Sequence, residues 1–187
     1  MIRGIGVWPG LNTPMTNAAT PETLAPFTGR YRFGVDRSHR LSLPARWRQA
    51  GSASEFVVML WPVGLDRHLL ALPMSRWEEV LRTVGQRSLF DEKVSAGVRA
   101  LGASVGYLTV DKVGRVALPE QLAKAAGIAD EVEIFGLIDR FEIWNPDRYA
   151  AMEQQYKLQA AEFFKEIGHE TWNAFRPQPE TVRPPAG

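Results

Sequence analysis

The sequence reads VDRSHRLSLP at residues 35–44 and, 75 positions later, VDKVGRVALP at residues 110–119. Both copies contain Val, Asp, a basic residue, two variable residues, Arg, an aliphatic residue, a small residue, Leu and Pro, in that order. A repeat within one chain indicates an architecture built from equivalent units. We therefore expect the second copy to be the structural partner of the first.

The similarity continues beyond the repeated phrase. The first copy goes on with ARWRQAG, FVVML and LDRHLLALP, and the second with EQLAKAAG, EVEIF and IDRFEIWNP. Asp66 and Asp139 correspond at an offset of 73, so two extra residues are expected in the first copy near Ser52–Ser54. Each copy predicts four strands. They are expected at residues 31–35, 40–43, 56–60 and 68–72, and at residues 107–110, 115–118, 132–135 and 141–144.

Each copy is expected to turn sharply between its first two strands. Gly114 suits the second turn because glycine adopts a positive φ without strain. His39 stands at the same place in the first turn and tolerates that geometry less well. Short helices are then expected to have Pro44 and Pro119 as first helical residues, and Gly51 and Gly127 just beyond their ends.

One copy alone would bury too little surface to be stable. The two copies, at residues 27–73 and 103–147, are therefore expected to pair about a pseudo-twofold axis and complete one barrel. A helical connection is expected between them at residues 74–102. One helix face there is indicated by Trp77, Val80, Leu81 and Val84, and a second helix by Phe90, Val94 and Leu101.

A C-terminal helix is expected at residues 148–175, after the N-cap residue Asn145. Its apolar side chains could pack on the barrel or on another subunit; they are Tyr149, Met152, Tyr156, Phe163, Phe164 and Ile167. Residues 1–26 and the Pro-rich residues 176–187 are expected to be disordered extensions. Trp61, Trp77 and Trp144 are expected to be packing residues.

Charge is unevenly distributed along the chain. Residues 27–50 contain six arginines, no lysine and one acidic residue, Asp36. Arginine presents a planar fork of donors that matches phosphate groups and guanine edges. The chain has no cysteine, which excludes disulfides, thiolate catalysis and cysteine-based zinc sites. No apolar run is long enough to span a bilayer, so a cytoplasmic protein without a membrane partner is expected.

The doubled Asp-x-x-x-Arg turn resembles the MraZ family. Further similarities are FTG at residues 27–29, LDRHLLALP at 65–73, LGAS at 101–104 and FEIWNPDRY at 141–149, so the resemblance covers about residues 27–150. The first turn departs from the usual Lys-Gly-Arg of the family, because it reads Ser38-His39-Arg40. This difference bears on the geometry of that turn.

The resemblance implies an α+β fold in which two SpoVT–AbrB-type halves form a swapped-hairpin barrel within one chain. It also implies a DNA-binding transcriptional regulator, associated with the nucleoid, that usually represses its own division and cell-wall operon. The expected partners are double-stranded DNA carrying G-rich promoter repeats and further copies of the chain in a closed ring.

Six basic residues are candidates for DNA contact. Arg40 and Arg115 are expected to reach guanine edges in the major groove. Phosphate contacts are expected from Arg37 and Lys112, and Arg30 and Arg32 widen the basic surface of the first half. Arg46 and Arg48 either widen that surface further or form a solvated helix face. The first half is therefore expected to dominate the electrostatics. Asp36, Asp111 and Gly114 are expected to shape the turns, and the alternative is that each Asp–Arg pair only fastens its own turn.

Other classes of function receive less support. Asp36, Ser38 and His39 crowd into one turn, where they cannot form an aligned catalytic triad. No phosphate-binding loop, metal cluster or dinucleotide fingerprint is present, so no enzyme, cofactor, metal or small-molecule substrate is expected. Two alternatives remain. One is an antitoxin-like AbrB protein that binds DNA and a toxin, and the other is a ring-forming structural protein without a DNA function.

Overall fold

The computed structural model describes residues 27–48, 54–61, 68–88 and 90–175. The strands are β1 (Arg30–Gly34), β2 (Arg40–Ser42), β3 (Glu55–Trp61), β4 (His68–Pro73), β5 (Val105–Thr109), β6 (Arg115–Ala117), β7 (Glu131–Gly136) and β8 (Phe141–Trp144). The α-helices are α1 (Met74–Gly85), α2 (Glu92–Ala103), α3 (Glu120–Ala125) and α4 (Pro146–Phe175), and a 3₁₀-helix lies at Ala45–Arg48. The predicted disordered extensions, residues 1–26 and 176–187, lie outside the described residues.

The strands form one six-stranded antiparallel sheet and one two-stranded antiparallel ribbon. The sheet order is β1-β7-β8-β4-β3-β5, and the ribbon pairs β2 with β6. The two copies exchange their first strands: β1 of the first copy pairs with β7 of the second, and β5 of the second pairs with β3 of the first. The order reads the same from either edge once equivalent strands are exchanged. The two copies are thus related by an approximate twofold axis between β4 and β8, in an α+β fold of open-barrel character.

The strand register corrects the expected position of the length difference between the copies. Phe33 lies opposite Val132, and Leu108, 75 residues after Phe33, lies opposite Phe56. Val132 is therefore the counterpart of Phe56, at an offset of 76, so no extra residues of the first copy lie near Ser52–Ser54. The first copy is longer in its β3–β4 connection, residues 62–67, than the second is in its β7–β8 connection, residues 137–140.

The main core lies between the six-stranded sheet and the ribbon. Four aromatic rings meet there, with centroid separations of 5.1–5.9 Å: Phe27, Trp47, Phe56 and Phe141. Such ring pairs contribute about 0.5–1.5 kcal/mol each beyond the area they bury. Leu41 and Val116 close the core from the ribbon side, and both are almost fully buried. Since both copies supply these side chains, neither copy has a separate core.

A second core cluster covers the opposite face of β3 and β4. Val57, Met59, Leu70 and Leu72 pack there against Trp77 of α1. Both faces of these strands are buried, which explains why FVVML and LLAL read as continuous apolar runs rather than as alternating ones. Within α1 and α2, Met74, Val80 and Leu101 also contact this cluster.

Three apolar side chains expected to pack are exposed. On the face that α1 turns to the sheet, Trp77 is buried, and Val80 and Val84 are half-buried. Leu81 lies at the rim of this face and is 48% exposed. Trp61 is 45% exposed because it is the last residue of β3 and lies beyond the part covered by α1. Phe90 is fully exposed, because it precedes the N-cap residue of α2, Asp91.

The ends of the short helices follow the sequence only in part. Gly127 has a φ of 69° just after α3, and Gly127 N and Ile128 N donate to the carbonyls of Lys124 and Ala123, which satisfies two terminal acceptors. Pro119 is not the first helical residue: its ψ of 125° is extended, and its carbonyl accepts from Ala123 N as an N-cap carbonyl does. Pro44 similarly precedes the 3₁₀-helix, and Gly51 lies outside the described residues.

Helix α4 packs on the sheet through its first turns. Tyr149 stacks beside Phe135 with ring centroids 4.3 Å apart, and Tyr156 meets Trp144 edge-on at 5.9 Å. Further along the helix the apolar side chains are exposed; they are Leu158, Phe163, Phe164 and Ile167. The interpretation that this face packs within the chain therefore holds for the first turns of α4 only.

Substitution of Asn145 tests the start of α4. Asn145 Oδ1 accepts from Arg148 N at 2.9 Å, and Asn145 Nδ2 donates to the carbonyl of Gly127 at 2.7 Å. We expect Asn145→Ala to lower the free energy of unfolding by about 1–2 kcal/mol in urea denaturation, since it removes the N-cap. Asn145→Asp keeps the cap acceptor and is expected to lose less. An unchanged midpoint in Asn145→Ala would show that the cap adds nothing.

Candidate functional site

Each Asp-x-x-x-Arg segment is a turn organised around its carboxylate. Asp36 Oδ1 accepts from the backbone N–H groups of Ser38 and Arg40 at 2.9 and 3.0 Å, and Asp36 Oδ2 accepts from Arg40 Nε at 2.9 Å. In the second turn, Asp111 Oδ1 accepts from the backbone N–H groups of Val113 and Arg115 at 3.0 and 2.8 Å, and Asp111 Oδ2 accepts from Arg115 Nε at 3.0 Å. The same contacts thus recur in both copies.

The backbone of the two turns is also equivalent. In the first turn, Asp36 N donates to the carbonyl of Arg40, and His39 N donates to the carbonyl of Asp36. In the second turn, Asp111 N donates to the carbonyl of Arg115, and Gly114 N donates to the carbonyl of Asp111, and all four distances are 2.8–2.9 Å. His39 has a φ of 55° and Gly114 a φ of 83°. Histidine therefore occupies the left-handed position without changing the hydrogen-bond pattern, although a side chain there is strained relative to glycine.

Both turn carboxylates are held in the ionised form. The backbone N–H of Arg40 is the largest cause that holds the pKa of Asp36 below its ordinary value, and the N–H of Ser38 and the Arg40 side chain add to it. The pKa of Asp111 is lowered in the same way by the backbone and then the side chain of Arg115. Donors aimed at a carboxylate favour its charged form.

The ribbon brings the two turns together. Arg40 lies opposite Ala117, Leu41 opposite Val116, and Ser42 opposite Arg115. Because side chains alternate between the two faces of a strand, Arg40 and Arg115 share the face opposite the buried Leu41 and Val116. They are diagonal neighbours, with Cα atoms about 7–8 Å apart. Two arginines that are 75 residues apart in sequence thus lie side by side.

Main-chain hydrogen bonds connect each turn to the other copy. Leu118 N donates to the carbonyl of His39 at 2.9 Å, and Leu43 N donates to that of Gly114 at 3.0 Å. The carbonyl of each left-handed residue is therefore fixed by the strand that follows the other turn. As a consequence, the separation of the two turns is set by the backbone rather than by flexible side chains.

The other predicted contact residues fall into two groups. Arg37 and Lys112 are exposed on the turns and form no ion pair with a described residue. Arg30 instead pairs with Glu133 and Glu153, both at 2.9 Å, and Arg32 pairs with Glu131 at 2.6 Å. The Arg30 guanidinium also lies 4.9 Å from the ring centroid of Tyr149. Arg30 and Arg32 thus connect β1 to β7, and Arg30 also to α4, and the structure does not group them with the turns.

Arg48 joins the second turn, although it belongs to the first copy. Its Nη1 donates to the carbonyl of Val113 at 2.8 Å, and its guanidinium covers Gly114, where a Cβ atom would otherwise lie. Sequence reasoning placed this arginine on the basic surface of the first half. The sequence carries no signal for this contact, because the residues that correspond to Arg48 in the second copy, at offsets of 75 and 76, are Ala123 and Lys124.

Within the described part of the chain, no group of His, Cys, Asp and Glu side chains could hold a metal ion. None of the helices among those residues is both long and apolar enough to cross a membrane. Asp36 is committed to backbone donors and to Arg40, which leaves it no role in orienting a histidine base.

The fold and the turns define a class of protein: a fused duplicate whose two copies exchange strands and place paired Asp–Arg turns on one ribbon. The chain belongs to the MraZ family. A family model described as "MraZ protein, putative antitoxin-like" matches residues 106–167.

Three relatives support this membership, each named "Transcriptional regulator MraZ". The protein of Roseiflexus castenholzii is 36% identical over 123 residues, which cover 66% of this chain and 83% of the relative. That of Thermomicrobium roseum is 33% identical over 136 residues, 73% of this chain and 91% of the relative. That of Leuconostoc citreum is 32% identical over 142 residues, which cover 75% of this chain and 93% of the relative. These relatives are named as regulators and not as enzymes.

The left-handed positions of the turns can be tested by exchange. We expect Gly114→Ala to lower the free energy of unfolding by about 1–2 kcal/mol, because an L-residue is strained at positive φ. The matched variant His39→Gly is expected to lose nothing, since it removes the same strain from the first turn. Urea denaturation of both variants measures the difference. Equal losses in the two variants would contradict the geometry described for the turns.

The turn carboxylates should make stability depend on pH. Their pKa values are lower in the folded chain than in the unfolded one, so their contribution is complete above the unfolded value and is lost as pH falls through the folded value. Between about pH 5 and pH 3, we expect wild-type stability to fall more steeply than that of the double variant Asp36→Asn/Asp111→Asn. Parallel curves from urea denaturation would rule out this coupling.

Proposed function

We propose that the chain is a transcriptional regulator that binds double-stranded DNA in a sequence-specific manner through its two Asp-x-x-x-Arg turns. The observation that carries this proposal is the shared ribbon face on which Arg40 and Arg115 lie side by side, each held by its own aspartate. The names of the relatives, all transcriptional regulators, support the same conclusion.

The aspartates prepare the arginines for base recognition. Arginine has five N–H donors, and in both turns the Nε–H is taken by the aspartate. The terminal Nη1 and Nη2 groups remain for a ligand, and such a pair suits the O6 and N7 acceptors of guanine. Because the carboxylate also restrains the side chain, less conformational freedom is lost on binding. Asp36 and Asp111 therefore act on DNA only through their arginines.

Arg37 and Lys112 extend the interface to the DNA backbone. Both are exposed and lie directly after the turn aspartates. Contacts from such residues to phosphates release counterions, so they add affinity and salt dependence without adding sequence information. Arg30 and Arg32 remain predicted contacts, but their ion pairs with glutamates favour a structural role in joining β1 to β7.

The finer features of the resemblance complete the proposal. The exchange of β1 and β5 between the copies supports a swapped-hairpin barrel of the SpoVT–AbrB type. Several copies in a closed ring would present identical turns at regular intervals, and tandem G-rich repeats about 10 bp apart would match such an array. Avidity would then multiply a weak contact by a single chain. The regulated unit would be the division and cell-wall operon of the protein itself, at the nucleoid in the cytoplasm.

An antitoxin role is the second candidate, favoured by the wording of the matching family model. It would require a toxin partner in addition to DNA. AbrB-type antitoxins usually carry one half per chain, whereas this chain contains both copies in one fold. A stable complex with a co-expressed toxin would favour this candidate, whereas DNA binding alone would not separate the two.

Alanine variants of the two arginines test the proposal. Fluorescence anisotropy would compare a duplex carrying tandem G-rich repeats with a scrambled duplex for wild type, Arg40→Ala and Arg115→Ala. We expect each variant to lose about 5- to 150-fold of the preference, since one bidentate arginine–guanine contact is worth about 1–3 kcal/mol of discrimination. Arg99→Ala, an equal loss of charge on the exposed side of α2, is the matched control and should keep the preference.

The opposite result has a clear meaning. If Arg40→Ala and Arg115→Ala discriminate as well as wild type does, each Asp–Arg pair only fastens its turn. If wild type binds neither duplex at low salt, the chain would be better explained as an assembly protein without a DNA function.

A further inference from the structure

Arg48 occupies a place that the proposed function does not account for. It is the last residue of the 3₁₀-helix in the first copy, yet its guanidinium reaches across to the second turn. Its Nη1 donates to the carbonyl of Val113, a residue at the tip of that turn. The side chain is exposed, and its Nε and Nη2 groups form no hydrogen bond with a described residue.

The guanidinium borders a crevice at the base of the second turn. The crevice has a volume of about 320 Å³ and is lined by Arg48, Lys112, Ser54 and Gly114 among others. Asp111 also lines it, but both of its carboxylate oxygens already accept hydrogen bonds from Arg115. The lining therefore includes two basic residues, Arg48 and Lys112, and Asp111, whose carboxylate oxygens are already hydrogen-bonded within the turn.

The first turn lacks this arrangement. The residues 75 and 76 positions after Arg48 are the buried Ala123 and the exposed Lys124 of α3, and neither side chain forms a hydrogen bond or ion pair with a described residue of the first turn. Gly114 is buried under the Arg48 guanidinium, whereas His39 is half-buried. The second turn thus combines three cations, Arg48, Lys112 and Arg115, and the first combines Arg37 and Arg40.

We propose that Arg48 is a phosphate-contacting residue of the second turn, and that it gives this turn the stronger hold on the DNA backbone. This inference rests on the proposed DNA-binding function and names a residue and an asymmetry within it. The ligand group is a phosphate diester, because a guanidinium beside an ammonium matches its charge and its acceptor oxygens. The hydrogen bond to Val113 keeps the guanidinium at the edge of the turn.

The competing explanation is that Arg48 only fastens the turn. Two substitutions separate the explanations, because Arg48→Gln retains an N–H donor for the carbonyl of Val113 but removes the charge, and Arg48→Lys retains the charge. Arg99→Gln removes an equal charge from the exposed side of α2, away from both turns, and is the matched control.

The test is the salt dependence of DNA affinity, measured by fluorescence anisotropy on the repeat duplex and the scrambled duplex. Each phosphate contact contributes about one to the slope of log affinity against log salt. Over a fourfold rise in salt, we expect wild type to lose about three- to fourfold more affinity than Arg48→Gln on both duplexes. Arg48→Lys and Arg99→Gln should keep the wild-type slope.

Two outcomes would overturn the inference. One is a wild-type slope in Arg48→Gln, even if its urea midpoint and its overall affinity fall, because a fastening role alone predicts that result. The other is an equal loss of slope in Arg99→Gln, which would show that the effect is one of net charge. In both cases wild type would still prefer the repeat duplex and Arg115→Ala would still lose that preference, so the proposed function would stand. Failure of wild type to bind either duplex would remove both proposals.

Discussion

The antiparallel pairing of β2 with β6 is the interaction on which the rest of the structure depends. It buries Leu41 and Val116 against the aromatic core, and it continues beyond the ribbon as the hydrogen bonds from Leu43 and Leu118 to the carbonyls of the opposite turns. Neither copy could satisfy these backbone groups alone, and an unpaired buried backbone group costs about 1–3 kcal/mol. The ribbon therefore explains both why the sequence contains the phrase twice and why the two turns lie side by side. Any function that uses both turns inherits a spacing fixed by main-chain hydrogen bonds.

The distribution of charge in space differs from its distribution along the sequence. Six arginines of the first copy suggested a first half with the stronger positive field. In the structure, Arg30 and Arg32 are neutralised by glutamates of the second copy and of α4, and Arg48 lies across the second turn. Strand exchange is the physical cause, because it places β1 beside β7 and puts the 3₁₀-helix of one copy next to the turn of the other. The net charge of a sequence segment therefore predicts the charge of its surface only when the residues that surround it in space come from the same segment.

The sequence predicts the local elements of this fold well, and it predicts long-range register poorly. All eight strands appear within about two residues of the expected positions, because turn residues and apolar runs are local signals. The Asp–Arg contact within each turn was equally accessible, because the two residues carry opposite charges and are only four positions apart in a predicted tight turn. The expected place of the length difference between the copies, near Ser52–Ser54, was wrong, because aligned letters do not report which residues are hydrogen-bonded across the sheet. The exposure of Leu81 and Trp61 was missed for a related reason: spacing shows which residues share a face, but not how far the covering element extends. The role of Arg48 lay beyond sequence reasoning, because its partner carbonyl at Val113 is 65 residues away and belongs to the other copy.

Fusion of the two copies in one chain allows their equivalent positions to differ. In an assembly of two identical chains, any substitution at a turn appears twice, so His39 would strain both turns and Arg48 would have to fit on both sides. Here Gly114 is the counterpart of His39, and no described residue of α3 forms a hydrogen bond with the first turn as Arg48 does with the second. The first turn, strained at His39, has no guanidinium packed over it. The second turn has glycine and accommodates the Arg48 guanidinium, since any Cβ atom at position 114 would collide with Arg48. The two differences are therefore coupled. Glycine in the second turn is needed both for its positive φ and for the close approach of Arg48, whereas the first turn needs only the positive φ, which histidine can adopt.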